Sequence, residues 1–437
     1  MLNQSDYPNA NPSLTTSAQF DARLYRKIAL RIIPFLFVCY VISFLDRINI
    51  GFAQLQMKTD LGFSDAMYGI GAAVFYIGYV LFEVPSNLLL EKIGARKTFV
   101  RIMLLWGLAS VGMMFVVTPN HFYSLRFLLG VFEAGFFPGI VLYLTYWFPP
   151  ARRAAVLAIF FAGVAVAGVL GGLVSGWIMQ SMGGVMGMFG WQWMFLIEGS
   201  PALILAGIAY FYLDDKPQDA AWLNDAEKQR IAADLENENT LNIVTPTILS
   251  LLSTMRIYMF AFVYFSLTCA SLTLSFWMPA MIRDFGVTDV VEISLYSVIP
   301  NALAIIGIIT ISRHSDHKNE RVGHFVCCAL GGAASLLLLT THPGNFVLTM
   351  GLLSIATTLI FSALPIFWAI PTSYLSKKMA ASGVALISSI GITSGIVSPY
   401  VIGQIKMATG GMDLAIYLLS GLLAGSCFVL VWVTRRK

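Results

Sequence analysis

Asp46 and Arg47 are neighbours inside an apolar run, Phe35 to Phe52, and Arg126 and Glu133 stand inside another, Phe122 to Phe148. Two acids and two guanidinium groups at such positions are chemically suggestive. Each charge at the centre of a bilayer costs about 2.5–3.5 kcal/mol on insertion scales. A chain that carries four of them uses them by default as an ion or proton path and an anion site. Arg126, Gly130, Glu133 and Phe137 fall at i, i+4, i+7 and i+11, the spacing of one helix face. Arg126 and Glu133 are then about 10 Å apart along the axis, too far for a direct pair. The side chains of Asp46 and Arg47 diverge by about 100°. Crossed pairing follows as the expectation: Asp46 with Arg126, leaving Arg47 facing a cavity. A guanidinium grips a carboxylate through a two-pronged fork. A proton on a protein acid would release its cationic partner to an incoming anion.

The elements that must hold these groups are membrane helices. The chain has 437 residues, 57% hydrophobic and only 11% charged, whereas soluble domains carry about 25% charge. Its apolar stretches reach about 20 residues, enough to cross hydrocarbon as a helix. They lack the alternation of barrel strands. Twelve spans are expected in an all-α membrane protein. The organisation is a polar tail (1–28), six spans (29–213), a linker (214–255) and six further spans with a short tail (256–437). Met1–Leu24 of the tail is read as disordered and the linker as a tether containing one helical stretch. Of the 27 Lys and Arg residues, 22 fall in the tails and alternate connections on one side, 3 on the other and 2 within spans. Both termini are therefore expected to be cytoplasmic. The net charge of +4 reflects this topology and is no nucleic-acid footprint. After the second span comes Glu91-Lys92-Ile93-Gly94-Ala95-Arg96, and after the eighth Asp316-His317-Lys318-Asn319-Glu320-Arg321. In both, an acid precedes an Arg by the same spacing, a trace of two parallel repeats with a site between them.

The remaining candidates are weaker. Tyr79 and Trp368, with Phe367 and Tyr374, could contact a ligand. Glu83 reads as an acid paired with loop cations, and Glu198 as an interfacial acid beside Trp191 and Trp193. His314 and His317 flank Asp316 without further metal ligands and read as solvated. The five cysteines sit in apolar segments and read as packing residues. Gly135/Gly139, Gly168/Gly172, Gly172/Gly176 and Gly391/Gly395 are spaced for close helix approach. No nucleotide-binding GxxxxGK[ST] run exists, and no nucleophile stands with a base partner. A membrane-embedded enzyme or a sensor is the reading disfavoured by these observations.

Several runs are similar to the major facilitator superfamily. Glu91 to Lys97 resembles its loop motif, with Asn87 where the leading Gly usually stands, and Arg126-Phe127-Leu128-Leu129-Gly130 its fourth-helix motif. The Gly-Pro pair of many drug antiporters is absent, with Ala167-Gly168 in its place. Phe44-Leu45-Asp46-Arg47-Ile48-Asn49-Ile50-Gly51-Phe52-Ala53, Glu83-Val84-Pro85-Ser86-Asn87, Glu133-Ala134-Gly135-Phe136-Phe137-Pro138-Gly139 and Gly190-Trp191-Gln192-Trp193 resemble the anion:cation symporter branch. That branch includes phthalate, tartrate, sugar-acid and hydroxyphenylacetate permeases. The resemblance implies a multi-pass inner-membrane symporter that takes up a small organic anion with protons. It implies no cofactor besides the coupling proton and a monomer in the lipid bilayer. It assigns proton coupling to Asp46 and Glu133 and anion binding to Arg47; the residues themselves add Arg126, Tyr79 and Trp368 as candidate substrate contacts. Sugar-acid members tend to carry Tyr, a polar residue and Asn where this chain has Phe44, Val164 and Ile392. An aromatic or weakly hydroxylated acid is therefore expected, with a sugar acid or tartrate-type diacid as the alternative. Ser388, Ser389, Thr393 and Ser394 could supply hydroxyls to the latter.

Overall fold

The computed structural model describes residues 12–239, 253–341, 344–374 and 380–435. The start of the chain, the middle of the linker, and Lys377, Lys378, Arg436 and Lys437 of the charge asymmetry lie outside these residues. Among the described residues the regular structure is helical, because a chain in lipid must satisfy its backbone within each segment. Twelve helices are long and apolar enough to cross a membrane: Gln19–Asp60, Asp65–Ile93, Ala95–Phe115, Pro119–Trp147, Ala162–Ser181, Gly190–Tyr212, Met255–Asp284, Val290–Lys318, Val322–Leu339, Phe346–Trp368, Gly383–Thr409 and Asp413–Arg435. They are called the first to twelfth spans below. Polar side chains mark several starts. Ser64 accepts from the Met67 amide, Thr118 from His121 ahead of Pro119, and Asn345 from Leu348, relieving amides that a helix start leaves unpaired.

The two corresponding turns differ in detail: ψ is 162° at Gly94 and 32° at Asn319. Gly94, in the turn after the second span, has φ +90°, and Asn319, in the turn after the eighth, has φ +50°. Both occupy the same place in the acid-to-Arg motif. The Arg96 amide donates to Asp215 at 2.8 Å, while Arg321 lies 3.5 Å from Asp316.

Two sequence expectations fail at the linker. The supposed disordered tail is helical from Pro12, and Leu24, Tyr25 and Ile28 are buried. Its polar composition hides an apolar stripe at helical spacing that continues into Ile32. The linker is also more than a tether. Its helix, Asp225–Asn239, docks on the first span. Lys27 bonds Glu227 at 2.8 Å, Arg230 bonds Asp21 at 2.7 Å, and the Tyr25 hydroxyl donates to Asp234 at 2.7 Å. Trp222 stacks on Trp147 with ring centroids 5.7 Å apart. Partial burial pushes the Glu227 carboxyl up, but bonds from Lys27 and the Asn224 amide outweigh it and hold it below its ordinary value. A depressed acid contributes stability above its unfolded value, about 4.3, and loses it as pH falls through the folded value. Pepsin cleavage of the docked linker should therefore accelerate as pH falls below about 4. Lys27→Ala should show the same sensitivity at higher pH, and cleavage indifferent to both would contradict the contact's role.

The halves meet at the end remote from this linker helix. The second span lies on the eleventh, the fifth on the eighth, and the far part of the first on the seventh. Glycines allow it. A Cβ on Gly172 would meet the Ser294 carbonyl at 2.6 Å, one on Gly51 the Phe276 carbonyl at 2.7 Å, and one on Gly403 the Asp65 carbonyl at 2.7 Å. Tyr68 donates to the Phe276 carbonyl and Arg283 to the Leu55 carbonyl, both at 2.9 Å. One end of the molecule is thus zipped shut.

Candidate substrate and proton site

Helix breaks position the charged groups. The fourth span leaves helical geometry after Glu133. Ala134 (φ −54°, ψ 133°) and Gly135 (φ 82°, ψ 0°) form a type II turn, whose third position needs a positive φ and hence glycine. Phe137 therefore does not share a helix face with Glu133, against the spacing argument. A Cβ on Gly135 would also meet the Ser86 side chain at 2.6 Å. Gly135→Ala should destabilise the protein by about 1–3 kcal/mol, the usual cost of a residue held in such a conformation. A melting temperature in detergent equal to wild type would contradict this. The first span breaks at Asn49 and the eleventh at Ile392–Thr393.

The turn turns Glu133 into the bundle, where Arg47 Nε donates to Oε1 at 2.6 Å and Ser43 Oγ to the same oxygen at 2.5 Å. The pairing is not the crossed one. Asp46 accepts instead from Trp106 Nε1 at 2.6 Å and Ser110 Oγ at 2.8 Å, with Asn49 Nδ2 at 3.5 Å. Asp46 and Arg47 project to different sides of the span, so each acid takes the partner its own face meets. Arg126 has no carboxylate within ion-pairing distance among the described residues. Its Nε donates to the Gly71 carbonyl at 3.3 Å and its guanidinium lies 4.8 Å from the Phe75 ring centroid. Arg47 covers the other neighbours of this ring, at 5.5 Å from Phe75 and 4.8 Å from Tyr79. All four charged residues are between 0 and 6% exposed.

Hydrogen bonding in this cluster is incomplete. Arg47 Nη2, Arg126 Nη2, Glu133 Oε2 and the Tyr76 hydroxyl are buried without a partner. Two guanidinium groups with idle donors, backed by aromatic rings, have the chemistry to hydrogen-bond an anion. The structure thus brings Asp46, Arg47, Arg126, Glu133 and Tyr79 together in the first half. Trp368 stands apart on the second half's wall, edge-on to Tyr264 at 4.6 Å. Tyr264 in turn lies within electrostatic reach of Tyr40, Tyr76 and Glu83, so the two walls face each other.

Other expectations need correction. Glu83 has no cation within ion-pairing distance among the described residues. Its nearest charged influence is Arg47. Glu198 is 2% exposed, inside the bundle and not at an interface. Ser175 Oγ donates to it at 2.6 Å. Trp191, Phe195, Glu198, Ala202 and Leu205 are all buried on one face of the sixth span. That helical periodicity was the signal that places Glu198 inward. His314 and His324 are hydrogen-bonded at 2.8 Å, with Glu320 capping His324 at 2.6 Å, so His314 is less free than a solvated loop residue. Ser43, Trp106, Ser110 and Tyr76 were not singled out in advance. Ser43/Arg47 and Trp106/Ser110 each sit one helical turn apart, the only sequence trace of their shared task.

Twelve spans among the described residues and a cluster of buried charges are the frame of a multi-pass membrane protein. The chain belongs to the Major Facilitator Superfamily, whose model matches residues 36–399. It is 43% identical over 418 residues to an Agrobacterium vitis protein named "Putative tartrate transporter", covering 95% of this chain and 92% of that one. It is 40% identical to the metabolite transport protein NicT of Pseudomonas putida, over 93% and 94% of the two chains. An Acinetobacter baumannii protein named as a quinolone resistance transporter is 38% identical over 92% of each chain. The crystal structure of a D-xylose-proton symporter superposes with a TM-score of 0.73 at 12% identity, over 92% of this chain and 97% of that one. It shares the fold. The chain is a multi-pass membrane transporter of the superfamily.

Proposed function

We propose that the chain is a proton-coupled symporter that takes up a small organic carboxylate, with Arg47 as receptor for the carboxylate and Glu133 and Asp46 as the proton-binding acids. One observation carries this reading. Arg47 gives Nε to Glu133 while its Nη2, buried, has no partner. Glu133 and a substrate carboxylate thus compete for one guanidinium. A proton on Glu133 weakens its hold and lets the substrate take the fork. Asp46, tied to Trp106 and Ser110, registers protonation through the first span it shares with Arg47. The site then turns to the other face when the halves part at the zipped end. The protein acts as a monomer in a cytoplasmic membrane, both termini inside.

The walls favour an aromatic or weakly hydroxylated acid. Tyr40, Tyr76, Tyr79, Tyr264 and Trp368 supply rings. Three hydroxyls of the second half are turned inward: Thr268 donates to the Tyr264 carbonyl at 2.7 Å, Ser394 to Thr268 at 2.8 Å and Thr393 to the Ile390 carbonyl at 2.6 Å. A second reading is a tartrate-type diacid. Arg126, the second guanidinium with an idle donor, and the names of the 43% identical relatives favour it. Purified protein should be screened for thermal stabilisation by benzoate-type acids, tartrate and aldonates. Uptake of the best labelled ligand into vesicles should rise with an inward proton gradient and collapse with a protonophore. Uptake indifferent to the gradient would contradict symport.

A further inference from the structure

Glu198 and Asp46 are two buried carboxylates flanking one amide. Asn49 lies 3.5 Å from Asp46 Oδ1 through Nδ2, and it and Asp46 both act electrostatically on Glu198. Ser110, which donates to Asp46, packs against the sixth span beside Gly199, where an added Cβ would meet its Oγ at 2.9 Å. The groups acting on Glu198 are thus Asp46 and Asn49 from the first span and Ser175 from the fifth. None is a cation. Arg47 is taken by Glu133, and neither Arg47 nor Arg126 is among the groups that act on Glu198. Donors and acceptors do not balance here. Glu198 Oε2 and Asn49 Oδ1 are both buried without a partner. Both are acceptors when the carboxylate is ionised. An uncompensated buried anion is several-fold costlier than an unpaired neutral group. The smallest species that removes both the surplus acceptor and the charge is a proton.

We propose that Glu198 is a further proton-binding residue of this carrier, electrostatically coupled to Asp46. One proton distributes between the two carboxylates by exchange with solvent, leaving one acid and one anion in each arrangement. Glu198 lies about 12 Å from the start of its span at Gly190, at 1.5 Å per residue. Asp46 lies about 21 Å from Asp60, the corresponding end of the first span, by the same rise. That end is the zipped one, where Trp191 bonds Gln56 and Asp60. Glu198 is therefore the acid nearer the closed face, placed to hold a proton while the substrate site is shut from that side. The proposal rests on the proton-coupled reading for its purpose, though its central observation does not need transport.

The test is infrared titration of the reconstituted full chain without substrate, following the carboxylic-acid carbonyl band in wild type, Glu198→Gln and Ser175→Ala. Two acids that share a proton interact by about one pK unit or more. Glu198→Gln removes the neighbouring charge and should lower the band's amplitude and move the remaining midpoint to lower pH by about one unit. Ser175→Ala removes a donor to the ionised form and should move the midpoint to higher pH. It stands in for Glu198→Gln should that variant not fold. A band unchanged in amplitude and midpoint in the folded variants overturns the proposal. A merely structural Glu198 would alter the melting temperature without moving the titration. If wild-type uptake proves independent of a proton gradient while the band shifts as stated, the transport reading fails and the shared proton stands.

Discussion

Glu133→Gln will abolish proton-driven accumulation and leave substrate exchange in place. Gln has the shape of the protonated acid and cannot ionise. Arg47 is then permanently released toward substrate, so binding at alkaline pH rises to the level wild type reaches in acid. Exchange across the membrane needs only loading and reorientation, and both survive. Accumulation needs a proton to leave Glu133 on the far side, and that step is gone. Breaking a buried pair by altering one partner costs about 3–5 kcal/mol of stability, so the melting temperature must be followed alongside. Counterflow and gradient-driven uptake in the same vesicles decide the matter. Full gradient-driven accumulation in this variant would remove Glu133 from the proton path.

Arg47→Lys will weaken carboxylate binding by about ten- to hundred-fold, the equivalent of one lost charge-assisted bond at about 1.5–3 kcal/mol. Arginine serves two anions here through a rigid planar fork: Nε to Glu133 at 2.6 Å and Nη2 left over. Lysine presents a single point charge. It can satisfy Glu133 or the substrate, not both in fixed geometry. It also loses the flat packing against the Tyr79 and Phe75 rings. Ligand titration of the purified variant reads the change. An unaltered apparent affinity would show that substrate does not use the fork.

Much of the architecture was legible from the chain. Apolar run length determines span number. Asp46, Arg47, Arg126 and Glu133 could be picked out because a charge in oil has few innocent explanations. Their pairing could not. An apolar helix surrounded by apolar neighbours shows its length but not which side faces which neighbour, so nothing assigned Asp46 to Trp106 instead of Arg126. The turn at Ala134–Gly135 decided where Glu133 points, and a glycine inside a membrane run is too common to mark a break. Glu198 was misplaced for a different reason. Two tryptophans nearby suggested an interface, while the helical spacing of its buried neighbours pointed inward. The tail failed because composition was read and periodicity was not. Leu24, Tyr25 and Ile28 form one stripe among polar residues.

The competition between Glu133 and substrate for Arg47 predicts that anion binding carries a proton into the protein. Titration calorimetry at one pH in buffers of different ionisation enthalpy counts that proton directly, using the carboxylate that most stabilises the purified chain. The expected result is about one proton taken up per anion bound by wild type in the alkaline part of its range, where Glu133 starts ionised, and none by Glu133→Gln. Binding by wild type with no proton uptake at any pH would contradict the account.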